Sequence, residues 1–230
     1  MIFNLFSLFY IFFILWCKMF ILGITGGIAS GKTTVSQIFS KRYDLPLISF
    51  DDISRAIVRP GMPLNTEIRN LFGDEAMLYC GNINREYLRK LICTDAEKRK
   101  QIDDLFNPYM KLEFEERIEK LSELNTKIII VENALIFEFN QYNQYDKIIV
   151  VGCSIDDQVK RIVNRDNQTI EDSLGIIKSQ LPLESKRKLA DYFILNNGTI
   201  DDLAKQIDSI FIDISIFIVN KEELLRRRNY

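Results

Sequence analysis

The 230-residue sequence contains no histidine. That absence excludes Ser-His triads, zincin helices, C2H2 fingers and imidazole general bases, so proton transfer falls to Asp, Glu, Lys or Tyr. Cysteine is nearly as scarce. The four residues Cys17, Cys80, Cys93 and Cys153 form no CxxC pair and no regular spacing, which argues against a disulfide framework or zinc cage and for buried thiols in a reducing compartment. Neither sign of charge dominates: 30 Lys+Arg face 32 Asp+Glu, a net charge of -2. No general positive field exists to hold nucleic acid, and an anionic ligand must be held locally. Proline (5) and glycine (10) are too few for a collagen-like or linker-rich chain. What remains, 47% hydrophobic and 27% charged residues, is ordinary globular usage, and the length suits one α/β unit with an inserted subdomain.

The one long apolar run is at the start. Residues 1–18 are apolar except for Asn4, Ser7 and Lys18, and three readings compete. A signal peptide would need a basic n-region and a small-residue cleavage site; a membrane anchor would stand at the lower length limit for spanning. The third reading is an upstream-extended start, with the working protein beginning at Met19 directly before a compact strand. At the other end Leu203, Ile207, Ile210 and Phe211 fit a helical face, while IFIDISIFIV also alternates with period two, leaving helix and strand open there. The closing KEELLRRRN has its acids early and its arginines late, as a solvated helix end prefers.

Between these ends, strand-like runs fall at 20–24, 45–49, 127–131, 147–151 and 192–195. Helical patterns begin at Lys32 and cover about 158–164, 170–180 and 200–211. Short β-branched strands alternating with helices predict a doubly wound, mainly parallel α/β sheet. Residues from about 55 to 125 contain no convincing strand and carry charged helical pattern throughout, so they are expected to form a helical insert between the second and third strands.

After the first strand, Gly26-Gly27-Ile28-Ala29-Ser30-Gly31-Lys32-Thr33 satisfies G-x-x-x-x-G-K-[ST]. Such a loop wraps a phosphate with inward-pointing N–H groups, in conformations that glycine tolerates, at the positive end of the next helix. Lys32 would reach the β/γ-phosphates, the Thr33 hydroxyl would ligate Mg2+, and Thr34 would meet an inner phosphate. No DxxG element or N-K-x-D guanine reader accompanies the loop, which favours a kinase over a GTPase switch. Beyond the second strand stand Asp51 and Asp52. An acid at that sheet edge can face the γ-phosphate end of ATP and orient an acceptor hydroxyl; N-capping of the following helix is the structural alternative. Glu132, at the end of the third strand, is either a group holding a metal-bound water or a surface acid.

With these residues in view the chain resembles the dephospho-CoA kinase family over about residues 19–206. The resemblance rests on ILGITGGIASGKTTV, FDDISRAIVRPG, LFGDEAM, GNINREYLRKLI, ALIFE, QVKRIVNRD and LADYFILNNG, in that order. It implies the P-loop kinase fold with a helical substrate-binding insert (about 55–125) and a lid (about 158–190), flanked by an N-terminal extension (1–18) and a C-terminal one (207–230). It also implies a cytoplasmic, Mg2+-dependent enzyme that phosphorylates the ribose 3'-hydroxyl of dephospho-CoA with ATP. Carried onto this chain, Gly26 to Thr34 hold ATP, with Asn196 and Gly198 near the adenine. Asp51 faces the 3'-hydroxyl, while Arg161 and Arg165 act from the lid and Lys186 or Arg187 closes over the nucleotide. Arg55, Arg85, Asn107, Leu135, Phe137 and Glu138 lie toward the acceptor, with Lys186 assigned to that set as well. A lid arginine can also be read as a solvated helix charge. The chain departs from the family pattern at Ser49, the first acid of its D-x-D, at Asn107, the histidine of its His-Pro, and at Ala134, a proline. The rival readings are another P-loop kinase of a small metabolite and a membrane-tethered ATP-binding module without turnover. No membrane contact is expected unless residues 1–18 are an anchor.

Overall fold

The structure, a computed structural model, describes residues 19–228; the readings of residues 1–18 lie outside it. In chain order its elements are β1 (Phe20–Gly26), α1 (Lys32–Tyr43), β2 (Leu47–Ser49), α2 (Phe50–Ala56), α3 (Pro63–Phe72), α4 (Arg85–Thr94), α5 (Ala96–Glu123), β3 (Ile128–Glu132), β4 (Lys147–Gly152), α6 (Ile155–Asp166), α7 (Ile170–Ser179), α8 (Leu183–Leu189), β5 (Tyr192–Leu195) and α9 (Ile200–Arg228). They fall into two compact units, Ile48–Asn125 and the remainder.

The larger unit is built on a sheet of order β2-β3-β1-β4-β5. The pairings of β1 with β3 and β4, and of β4 with β5, are parallel. All seven residues of β1 are buried, as an apolar run covered on both faces requires. Strands two and three lie to one side of β1, four and five to the other, so its C-terminal end is where the path across the sheet reverses. Open α/β sheets bind ligands at that point. One face of the core joins Leu22, Ile24, Val35, Phe39, Ile130, Ile149 and Val151 to Leu203, Ile207, Ile210 and Ile214 of α9. Those four positions recur at helical spacing, which resolves the ambiguous C-terminal pattern as helix. α9 runs unbroken across residue 206, and its residues up to 214 are structural members of this unit. Tyr43 stacks on Phe211 with centroids 3.6 Å apart. Asp208 accepts from both Arg42 and Tyr43, and Lys221 reaches Asp146 at 2.8 Å.

Beyond the last two residues of β2, the smaller unit is helical, with an isolated bridge between Met77 and Ile83. It begins at Ile48, a few residues before the expected boundary. Its longest helix, α5, continues through Pro108, its start capped by Asp95, which accepts from the N–H groups of Glu97 and Lys98. The Phe50 and Phe114 rings pack 5.1 Å apart. The expectation of buried thiols is corrected at Cys80, which is exposed on a turn, and holds at Cys153, which is buried. Among the described residues no helix is long and apolar enough to cross a membrane.

Candidate active site

The loop between β1 and α1 has the backbone its glycines predict. Gly31 has φ +94 and serves as the N-cap residue of α1. A Cβ there would fall 2.0 Å from the Asn196 side-chain nitrogen, and one on Gly26 would fall 2.1 Å from the Val151 carbonyl oxygen. Ala29 takes a left-handed φ of 54, a conformation that costs an alanine on the order of 1 kcal/mol. The surroundings hold it there. Lys32 Nζ donates to the Gly27 carbonyl at 2.8 Å, Gln158 Nε2 to Ile28 at 2.7 Å, Arg161 Nη1 to Ala29 at 3.1 Å and Asn196 Nδ2 to Ser30 at 2.8 Å. Four consecutive carbonyls are thus engaged by side chains, which satisfies the acceptor side of the loop and leaves it to present N–H donors to an anion. The Ile28 N–H itself donates to Gln180 Oε1 at 2.7 Å. Gln158 lies on α6 and Gln180 directly follows α7, so two helices of the expected lid region grip one loop residue.

At the end of β3, Glu132 is only 5% exposed. Thr33 Oγ1 donates to its Oε1 at 2.6 Å and Ser36 Oγ to its Oε2 at 3.0 Å. It is therefore a buried acid that fixes the Thr33 hydroxyl, and the surface alternative is excluded. Thr34 follows on the exposed first turn of α1.

The residues expected at the lid and toward the acceptor divide. Arg161 is tied to the loop and also donates to the Asn196 carbonyl at 3.1 Å. Arg165 pairs with Asp166 at 2.8 Å on an exposed face. Lys186 is fully buried and ion-paired with Glu138 at 2.6 Å, so these two residues meet each other; Arg187 stacks over Phe193. Phe137 is buried and Leu135 exposed. Asn196 is buried beneath the loop, and Gly198 precedes α9, where a Cβ would meet Asp202.

In the smaller unit Ser49 is the N-cap residue of α2, without a side-chain cap bond. Asp51 and Asp52 lie in the first turn of that helix, so neither caps it, and the capping alternative is corrected. Asp52 forms an exposed ion pair with Arg55 at 3.6 Å. Arg55 and Arg85 line one cavity of about 300 Å3 together with Val58, Arg59, Asn82 and Ile83. Burial holds the Arg85 guanidinium below its ordinary range; Arg55 and Arg89 push the same way, and Asp51 opposes them. Asn107 is exposed on α5.

Gln180, Gln158 and Ser36 were missed as functional residues from the sequence. Gln158 stood inside a recognised run, but the signal there was its arginines. Gln180 and Ser36 carry none, because neutral side chains 152 and 96 residues from their partners leave no local pattern.

A phosphate loop at the reversal point of a parallel sheet, opening onto a helix with Lys32 and Thr33 in its first turn, defines a P-loop phosphotransferase. The family model described as dephospho-CoA kinase matches residues 20–202. The dephospho-CoA kinase of Arabidopsis thaliana is 35% identical over 196 residues, 85% of this chain and 84% of that one. That of Listeria monocytogenes is 34% identical over 200 residues, 87% and 98% of the two. A crystal structure from Thermus thermophilus aligns with a TM-score of 0.73 at 26% identity, over 85% of this chain and 98% of that one. The dephospho-CoA kinase from Campylobacter jejuni shares the fold, with a TM-score of 0.58 at 23% identity over 86% and 98%. The chain belongs to the dephospho-CoA kinase family and is an enzyme of the kinase class.

Proposed function

We propose that the chain transfers the γ-phosphoryl group of ATP to the ribose 3'-hydroxyl of dephospho-CoA, the last step of coenzyme A biosynthesis, in the cytoplasm. The observation that carries this reading is the braced loop, whose carbonyls are engaged from outside while Lys32 stays within it, in a chain of this family.

Phosphoryl transfer through a loose transition state asks for positioning and charge compensation more than for covalent chemistry. Here the loop from Gly26 to Thr34 holds the phosphates, and Lys32 and Arg161 offset the charge that spreads over the migrating group. Thr33 and Glu132 offer a hydroxyl and a carboxylate 2.6 Å apart. Hard oxygen donors of this kind fit Mg2+, which would bind through Thr33 with Glu132 orienting that hydroxyl or a bound water. When bound, the ion neutralises phosphate charge. Asp51 orients the acceptor hydroxyl and accepts its proton, a task no histidine is present to take. Arg55, Arg85, Asn107, Leu135 and Phe137 are assigned to the acceptor, Asn196 and Gly198 to the adenine side, and Arg165 to the closed lid. Lys186 and Glu138 support the lid as a pair.

The test is direct. The purified chain, incubated with ATP, Mg2+ and dephospho-CoA, should yield coenzyme A by mass and ADP in equal amount, with AMP, CMP and shikimate far poorer in kcat/KM. Comparable efficiency with any of those three overturns the acceptor assignment; no ADP release with any acceptor overturns the kinase reading.

A further inference from the structure

The cavity in the smaller unit contains three guanidinium groups and no carboxylate in its wall. Arg55, Arg59 and Arg85 line it, with Asn82 as a neutral hydrogen-bonding group and Val58 and Ile83 as an apolar floor. Convergence of like charges is unfavourable unless an anion compensates it. At Arg85, burial chiefly and then the neighbouring Arg55 and Arg89 disfavour the cation, against a partial offset from Asp51. Asp52 lies 3.6 Å from Arg55 in an exposed i,i+3 pair, an arrangement worth little.

The wall is built rather than incidental. Asn65, itself buried, donates to the Val58 carbonyl at 2.9 Å and the Gly81 carbonyl at 3.1 Å, tying together the two segments that carry Arg59 and Asn82. Asn84 accepts from the Tyr87 N–H at 3.1 Å, capping α4, and donates to the Glu75 carbonyl at 3.2 Å. That fixes the helix start from which Arg85 projects. Arg85 in turn reaches the Ser54 carbonyl at 3.4 Å, one residue before Arg55. The backbone segments that carry the three arginines are thereby tied together, with the Arg85 guanidinium itself anchored, and this fixes the points from which forked groups can reach phosphate oxygens.

We infer that this cavity seats the diphosphate bridge of the acceptor nucleotide and that Arg59, which neither the motifs nor the family resemblance singled out, is the third ligand of that diphosphate. The inference rests on the acceptor-side assignment of Arg55 and Arg85 and extends it by naming the group they grip. A diphosphate diester carries two negative charges and an array of acceptor oxygens that three forks can share. The apolar residues beside them suit the uncharged chain that continues from the diphosphate.

The experiment is steady-state kinetics on the full chain carrying Arg59→Ala, Arg59→Lys or Arg85→Ala, each checked for an unchanged circular dichroism spectrum and melting temperature. Loss of one charge-assisted contact predicts that Arg59→Ala raises KM for dephospho-CoA by about 10- to 100-fold, much more than it changes kcat or KM for ATP. Arg59→Lys, which keeps charge but loses the fork, should recover part of that. Inorganic pyrophosphate, competing with dephospho-CoA in the parent chain, should inhibit Arg59→Ala less. If Arg85→Ala raises the acceptor KM and Arg59→Ala does not, the role of Arg59 is refuted while the acceptor assignment stands. If neither variant does, the acceptor assignment itself fails. A rise in KM for ATP instead would make the cavity a donor-phosphate site and overturn the inference.

Discussion

Replacing Glu132 by glutamine separates a structural from a catalytic role for this buried acid. In the folded chain its two oxygens accept from Thr33 and Ser36 at 2.6 and 3.0 Å. Two hydrogen bonds to a charged group would each contribute about 1.5–3 kcal/mol, but burying the carboxylate costs several kcal/mol in the other direction. Neither hydroxyl is stranded by the change. Ser36 Oγ also reaches the Thr33 carbonyl at 3.1 Å, and Thr33 is exposed to water. The opposing terms nearly cancel, so Glu132→Gln should alter stability by no more than about 1 kcal/mol, a shift in melting temperature of roughly 2–4 °C. Catalysis has no such cancellation. A glutamine cannot hold the Thr33 hydroxyl as a charge-assisted donor or order a metal-bound water, and loss of a group that orients a metal ligand costs about 10- to 100-fold. The assay is coupled ADP release across a Mg2+ titration beside thermal unfolding of the same samples. The expected result is a near-native melting temperature, a lower kcat and a Mg2+ midpoint moved to higher concentration. An unchanged Mg2+ midpoint with kcat within threefold of the parent would refute the reasoning, and a large stability loss would show that the carboxylate is held for packing.

Asp51→Asn should lose roughly 100-fold or more in the single-turnover rate at saturating substrates while still binding both, whereas Asp52→Asn, whose acid sits in an exposed pair with Arg55, should lose little; the reverse order would reassign the catalytic acid. Gln180→Ala removes the acceptor of the Ile28 N–H and should raise KM for ATP roughly three- to tenfold, the range of one hydrogen bond, with Gln180→Glu retaining more of the affinity; equal KM values in all three would show that the lid contact does not shape the loop. Burial pushes the Tyr145 phenol up to about 12, so the folded chain keeps a proton that the unfolded chain releases near 10. Stability present below pH 10 should therefore fall as the pH rises toward 12, by up to about 3 kcal/mol from this group, and urea unfolding of Tyr145→Phe should show a shallower alkaline slope than the parent.

Some of this molecule is written locally. The phosphate loop occupies eight consecutive residues, and its glycines are demanded by backbone conformation and close approach at those same positions, so the sequence was sufficient to locate it. The strands were legible for a related reason: a strand covered on both faces must be largely apolar, and β1, β3 and β4 carry the apolar stretches 20–24, 128–131 and 148–151. The C-terminal segment was not legible, because IFIDISIFIV satisfies two periods at once and only packing of Ile207, Ile210 and Ile214 against the sheet selects the helix. Partnerships formed by folding were hidden as well. Glu132 acquires its meaning from Thr33, 99 residues away, and Ile28 from Gln158 and Gln180, 130 and 152 residues away. Lys186 was expected from the resemblance to close over the nucleotide, but its burial against Glu138, 48 residues away, carried no local signal. A motif records what one stretch of backbone must do, whereas a hydrogen bond between distant side chains depends on which elements the sheet order makes neighbours, and that order is decided only when the whole core is packed.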